Sequence, residues 1–331
     1  MTVRSSTRAE PSRLAVVAAF AAIYLFWGTT FLAIRYAVAE VPPLFTITIR
    51  CVGGALLLGA WLVWRGGGER PTAQQWITSA IAGAFLFVGG HGVLAWAEQR
   101  VSSGQAALLL TSIPLWLVLL SSVRERRVPS STVIIGLLLG TLGVALLARG
   151  SGAWSGTLLD RLGLIGAGLS WAIGSLAARD GARPASAIQS TAMQLGAGGV
   201  AVLTLSLATG ELSAWTPADV TPRGAVAVAF LLIAGTVLGF AAYTWLLRVT
   251  TPAAVGTYAF INPVVALSLA WMVGDEPFST RTIVAAAIVF GAVLMIWKSS
   301  RAKPKLHRVS EPPLKISAAS LRALSSYRAM L

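Results

Sequence analysis

The sequence predicts an all-α membrane protein of ten transmembrane helices, built as two inverted five-helix repeats. Three observations predict it. Charged residues make up 11% of the 331 residues while hydrophobic ones reach 56%, against roughly 25% charged in soluble domains. Ten apolar stretches divide the chain, each near the roughly 20 residues a helix needs to cross hydrocarbon. The pattern also repeats after five stretches. With a mean hydropathy of +0.74, too few charges exist to cover a soluble surface. That composition excludes an ordinary soluble enzyme, a disordered chain and a nucleic-acid-binding domain. The net charge of +14 reads as membrane orientation, not as nucleic-acid affinity.

The stretches run Leu14–Ala37, Pro43–Trp64, Trp76–Ala97, Ser103–Val123, Thr132–Ala148, Leu162–Ala178, Ala187–Ala208, Gly224–Leu247, Ala253–Val273 and Ile283–Trp297. The first is too long for a signal peptide and lacks a small-residue cleavage site, so it is expected to remain as a span. Glycines inside the spans, such as Gly136, Gly140 and Gly143 in the fifth and Gly166 and Gly168 in the sixth, let helix backbones approach in lipid. Trp61, Trp64, Trp76, Trp154, Trp215 and Trp297 fall near span ends, where indole rings anchor at the interface. The lone Cys51 allows no internal disulfide, and no Cys/His cluster offers a metal site. No cofactor is expected.

An even number of spans puts both termini on one side. That side receives 19 Lys and Arg and the other 7, while acidic residues divide 5 to 7 the other way. The positive-inside rule then places both termini in the cytoplasm. Residues 1–13 form a cytoplasmic tail, 14–148 the first repeat, 149–161 an external linker, 162–297 the second repeat and 298–331 a basic cytoplasmic tail. Within that tail, 316–331 suits an amphipathic helix on an anionic leaflet, and disorder is the competing expectation.

The repeat is legible in spacing. Trp27 precedes Arg35 by eight residues, as Trp171 precedes Arg179, a shift of 144. Trp96, Pro114 and Ser130 match Trp245, Pro263 and Ser279 at a shift of 149. Five spans per copy force the second copy to insert upside down. The basic loop Arg124-Glu125-Arg126-Arg127 accordingly corresponds to the acidic Gly274-Asp275-Glu276. Inverted repeats suit secondary transport, because opposed halves can exchange roles at the two faces.

These residues resemble a family. Tyr24-Leu-Phe-Trp-Gly-Thr-Thr-Phe31 through Arg35 is similar to the opening helix of the drug/metabolite transporter superfamily, EamA type. Pro42-Pro43-Leu44 with Arg50, then Glu98-Gln99, Ser103-Gly104 and Pro114, and Tyr258-Ala-Phe-Ile-Asn262-Pro263 resemble its later helices. The similarity covers about residues 14–297 and looks nearest the PecM-like exporters. It implies an exporter or exchanger of small metabolites such as amino acids.

Polar groups in hydrocarbon need a partner or a water-filled cavity, and they supply the candidates. His91, among Gly89, Gly90 and Gly92, can accept a proton near neutral pH, contact substrate, or bond a neighbouring helix. Pro114 and Pro263 are expected to kink their helices near the midplane, where transporters place binding sites. Asn262 and Tyr258, one turn apart, are the leading substrate contacts, with Ser112 a weaker parallel. Trp27 and Trp171, repeat mates, would line a central cavity or pack. Gln189 and Tyr243 are further polar candidates. Arg50 would anchor the helix, bind a carboxylate or meet a gating acid. Glu98 would pair with Arg100 or Arg50 or touch substrate. No carboxylate sits at a span centre, which argues against a sodium site, and no phosphate loop is present. The expected partners are a small-molecule substrate, the lipid bilayer and protons, with no nucleic acid. An intramembrane enzyme built on His91, Glu98 and Ser112, or a non-transporting receptor or scaffold, stands as the alternative.

Overall fold

The structure, a computed structural model, describes residues 11–101, 103–149, 155–213, 215–273 and 280–301. The loop Gly274-Asp275-Glu276, Ser279, Trp154 and the basic tail beyond residue 301 lie outside them. Among the described residues every regular element is helical. Nine helices are long and apolar enough to cross a membrane: α1 (Arg13–Val38), α2 (Pro43–Trp64), α3 (Ala73–Glu98), α4 (Gln105–Glu125), α5 (Ser131–Ala148), α6 (Leu158–Asp180), α7 (Ala187–Ala208), α8 (Pro222–Val249) and, last in the chain, α10 (Thr280–Ser300). Between α8 and α10 lies α9, a shorter apolar element in two pieces, Pro252–Gly256 and Tyr258–Val273.

Local chemistry sets most of the starts. Ser12, Ser130, Ser186, Thr221 and Thr251 each cap a helix by accepting from a backbone N–H three residues on. Thr72 with Gln75, and Thr157 with Asp160, form reciprocal capping boxes. Pro43, Pro222 and Pro252 occupy first turns, where a missing N–H costs nothing.

Contacts sort the connections onto two ends. Glu69, in the α2–α3 loop, accepts from Ala185 N in the α6–α7 loop at 2.9 Å, Ser130 bonds Ser299, and Thr251 bonds Ser300. These belong with the start of α1 to what is called here the terminal end. Trp215, between α7 and α8, donates to the Glu40 carbonyl between α1 and α2, and Arg100 after α3 meets Asp160 at the start of α6. These mark the far end. Apolar side chains cover the outside, with Leu14, Val63 and Leu138 each more than half exposed, as a lipid-facing surface requires. The chain is a multi-pass membrane protein.

Two departures from regular α-helix position the site. In α3 residues Ala84–Gly92, and in α8 residues Leu231–Phe240, follow a π-helical path. Each extra residue re-aims the side chains beyond it and frees a carbonyl. Phe85 O accepts from Ser170 of α6 at 2.7 Å, and Gly235 O accepts from the Trp27 indole of α1 at 2.8 Å. The fourth and ninth helices are interrupted at Thr111 and Thr257, where each hydroxyl turns back onto the carbonyl three residues earlier. Pro114 is the third residue after the first interruption; Pro263 lies inside the helix after the second. Close packing relies on small residues. A Cβ at Gly140 of α5 would stand 2.8 Å from the Phe260 ring of α9, and one at Gly143 would stand 2.7 Å from Val289 of α10.

Candidate functional site

The π segments, the α9 interruption and the far halves of α1 and α2 converge on a cavity of about 110 Å³. Its floor is aromatic. The Trp27 ring meets Tyr258 at 4.7 Å, Tyr243 at 5.1 Å and Trp171 at 5.9 Å. Tyr243 lies fully buried below, and its hydroxyl joins Trp171 Nε1 (3.0 Å) and Ser175 Oγ (2.6 Å). That network satisfies every polar atom it contains, so it holds the floor rigid. Underneath, Tyr24 bonds Thr257 at 2.6 Å. Still nearer the terminal end, Arg124 pairs with Asp180 and Arg179 with Glu125, both at 3.1 Å.

The walls differ. His91 lies between the Phe87 ring, stacked at 5.7 Å, and the Trp171 edge at 5.0 Å. Asn262 is buried, with Oδ1 lacking a protein hydrogen-bond partner. It lines both this cavity and a smaller apolar recess walled by Ala107, Ile113 and Pro263. Arg50 and Glu98 also line the cavity. Glu98 makes no ion pair with Arg50 or Arg100 among the described contacts. Arg100 goes instead to Asp160 at 2.7 Å, whose hydrogen bonds push the guanidinium pKa further up.

Of the residues the sequence proposes, Trp27, Trp171, His91, Tyr258, Asn262, Arg50 and Glu98 meet at one cavity. Tyr243 supports the floor without lining it. Gln189 lies toward the terminal end, donating to Glu69 O at 2.6 Å. Ser112 is packed against Gly168, whose added Cβ would stand 2.5 Å from its hydroxyl. Sequence reasoning missed Phe87, Phe240, Gly235 and Thr236. The one available signal was a pair of glycines, Gly235 and Gly239, in an otherwise large-residue run.

The comparisons agree in kind. The model of the EamA-like transporter family matches residues 14–149 and again 161–298. The uncharacterized inner membrane transporter YedA of Escherichia coli K12 is 30% identical over 86% of this chain and 90% of its own. Protein PecM of Dickeya dadantii is 25% identical over 82% of this chain and 88% of its own. A solved crystal structure superposes with a TM-score of 0.71 over 88% of this chain and 99% of that one, at 21% identity, which speaks for the fold alone.

Proposed function

The chain belongs to the EamA-like transporter family, and from that premise we propose that it is a secondary exporter or exchanger of a small metabolite, such as an amino acid or a related compound. It works by alternating access between two inverted five-helix repeats, 14–148 and 162–297, in the cell inner membrane with both termini cytoplasmic. The observation that carries this reading is the cavity. It is closed toward the terminal end by an aromatic floor, and it sits between helices drawn from both family matches. Its volume, well under the roughly 300–1,000 Å³ of drug-sized pockets, favours a small substrate. Inversion is supported by the loops: Glu69 of the α2–α3 connection and Trp215 of its counterpart between α7 and α8 make their contacts at opposite ends. The π segments of α3 and α8 occupy corresponding places and bond across the halves, so rocking would exchange those bonds.

In this mechanism substrate enters the cavity and stacks on Trp27 and Trp171. Tyr258 and Asn262 supply the polar contacts, Asn262 through its unpaired amide oxygen. Pro114, three residues past the first interruption, and Pro263, inside the helix that follows the second, each remove one bond from their helix ladder. Movement follows the substrate's own gradient or exchange with protons through His91.

Proteoliposomes loaded with a panel of labelled metabolites test this. Flux of at least one compound, abolished by Asn262→Ala or Tyr258→Ala in correctly folded protein, is expected; unaltered flux in both variants removes the site. For protons, His91→Asn is expected to flatten the dependence of flux on a pH gradient, and an unchanged dependence rejects that role.

A further inference from the structure

We infer that Arg50 is an anion receptor within this cavity, that Thr236 is its positioning residue, and that the transported compound therefore carries a carboxylate. The inference rests on the transport reading of the same cavity and names the charge that cavity selects.

Arg50 is 8% exposed, yet among the described residues its guanidinium makes one hydrogen bond: Nε donates to Thr236 Oγ1 at 3.1 Å. No carboxylate lies within 4 Å of it among the described residues. Glu98, which shares the cavity, leaves it unpaired. A residue serving as an interfacial anchor would snorkel its head along its helix to the interface, whereas this side chain reaches across to α8 and lines the cavity. A buried cation without a counter-charge is costly, so the arrangement is explained by an anion that arrives from outside. The geometry selects which anion. Thr236 occupies Nε, so the free edge of the planar fork is the pair of Nη groups, a spacing that fits the two oxygens of a carboxylate end-on. Gly235 borders that edge, where an added Cβ would stand at ordinary contact distance, 3.7 Å, from Nη2.

Thr236 is itself fixed by its setting. It sits in the π-helical part of α8, and the preceding carbonyl, Gly235 O, is held by Trp27. Helices α1, α2 and α8 thus share one orientation device, and the floor that stacks the substrate is tied to the residue that reads its charge. Thr236 touches no substrate in this scheme; it acts through Arg50.

The test uses the full chain in detergent micelles, reacted with phenylglyoxal, an uncharged arginine reagent, and read residue by residue by mass spectrometry. Sodium benzoate and sodium acetate are the probes, benzamide is the uncharged isostere, and Arg65, exposed at the end of α2, is the internal reference. Benzoate is expected to slow Arg50 modification saturably, by about tenfold, with benzamide inert and Arg65 unaffected. Thr236→Val is expected to raise the half-protecting benzoate concentration about tenfold while Thr236→Ser keeps it near wild type. A modification rate at half-buried Arg248, which is held on the Pro184 and Ala185 carbonyls, equal to that of wild type reports that each variant is folded. Protection by neither carboxylate, or equal protection by benzamide, overturns the receptor. Equal protection in wild type and Thr236→Val overturns the positioning role. Arg50 modification that rises in Glu98→Gln without added anion makes Glu98 the partner and overturns the inference. The assay reads binding in micelles and no flux, so its failure is separate from a failure of the transport reading.

Discussion

The cavity and the terminal end of this bundle are made by the same helices, yet they treat charged side chains in opposite ways. At the terminal end charged side chains are paired: Arg124 with Asp180, Arg179 with Glu125, and Arg248 with the Pro184 and Ala185 carbonyls. At the cavity, among the described residues, Arg50 hydrogen-bonds through Nε to Thr236, Glu98 makes no ion pair, and Asn262 Oδ1 has no hydrogen-bond partner. Paired charges lie at the terminal end, and the charges that line the cavity make no ion pair among the described residues. The difference also teaches how firmly the closed end is held. Arg124 is 61% exposed, and exposed ion pairs contribute about 0–1 kcal/mol each. Ion pairs this weak suit an end that would reopen under the proposed alternating access; the aromatic floor supplies the rigidity.

The comparison can be broken most directly by labelling. With Cys51, 2% exposed, as a low background, Leu94→Cys in the cavity wall should react with a hydrophilic maleimide faster than Ser175→Cys beneath the floor, by on the order of a hundredfold. Comparable rates would mean that the floor does not seal. Next in size is stability. Tyr243→Ala should cost about 3–5 kcal/mol in thermal unfolding through the void it leaves. Tyr243→Phe should cost about 1–3 kcal/mol by stranding the Trp171 Nε1 donor and leaving the Ser175 hydroxyl oxygen without its Tyr243 donor. Phe31→Ala, at the open wall, should cost clearly less than Tyr243→Ala, and an equal loss would erase the distinction between the two regions. Gly140→Val should destabilise by about 1–3 kcal/mol, because the new methyls meet the Phe260 ring. Smallest in stability is Arg124→Ala, at about 1 kcal/mol or less. Its sharper readout is faster labelling of Ser175→Cys from the terminal side, and an unaltered rate would remove the ion pairs as a latch.

Much of the architecture was readable beforehand. The long apolar runs appear as nine long helices and a shorter one, because hydropathy and length act on each segment separately. Caps such as Thr72 with Gln75 and prolines such as Pro222 announce helix starts locally. Ala253–Val273 is read as one span, but it breaks at Thr257, where the hydroxyl satisfies the backbone that the break releases. The π-helical runs were invisible: nothing in Ala84–Gly92 distinguishes a π path from an α path until helix α6 supplies Ser170 for the freed carbonyl.

Class, segmentation and duplication followed from the order of residues, since each reflects the transfer of a stretch of chain from water to lipid, a property of that stretch and its neighbours. Which polar groups share a cavity did not follow. Arg50 meets Thr236 across 186 residues and Trp27 meets Gly235 across 208, and such meetings depend on the rotational phase of packed helices, shifted here by one extra residue in each π turn. The same packing spends the hydroxyl of Tyr243 on the floor and leaves the amide oxygen of Asn262 free at the wall.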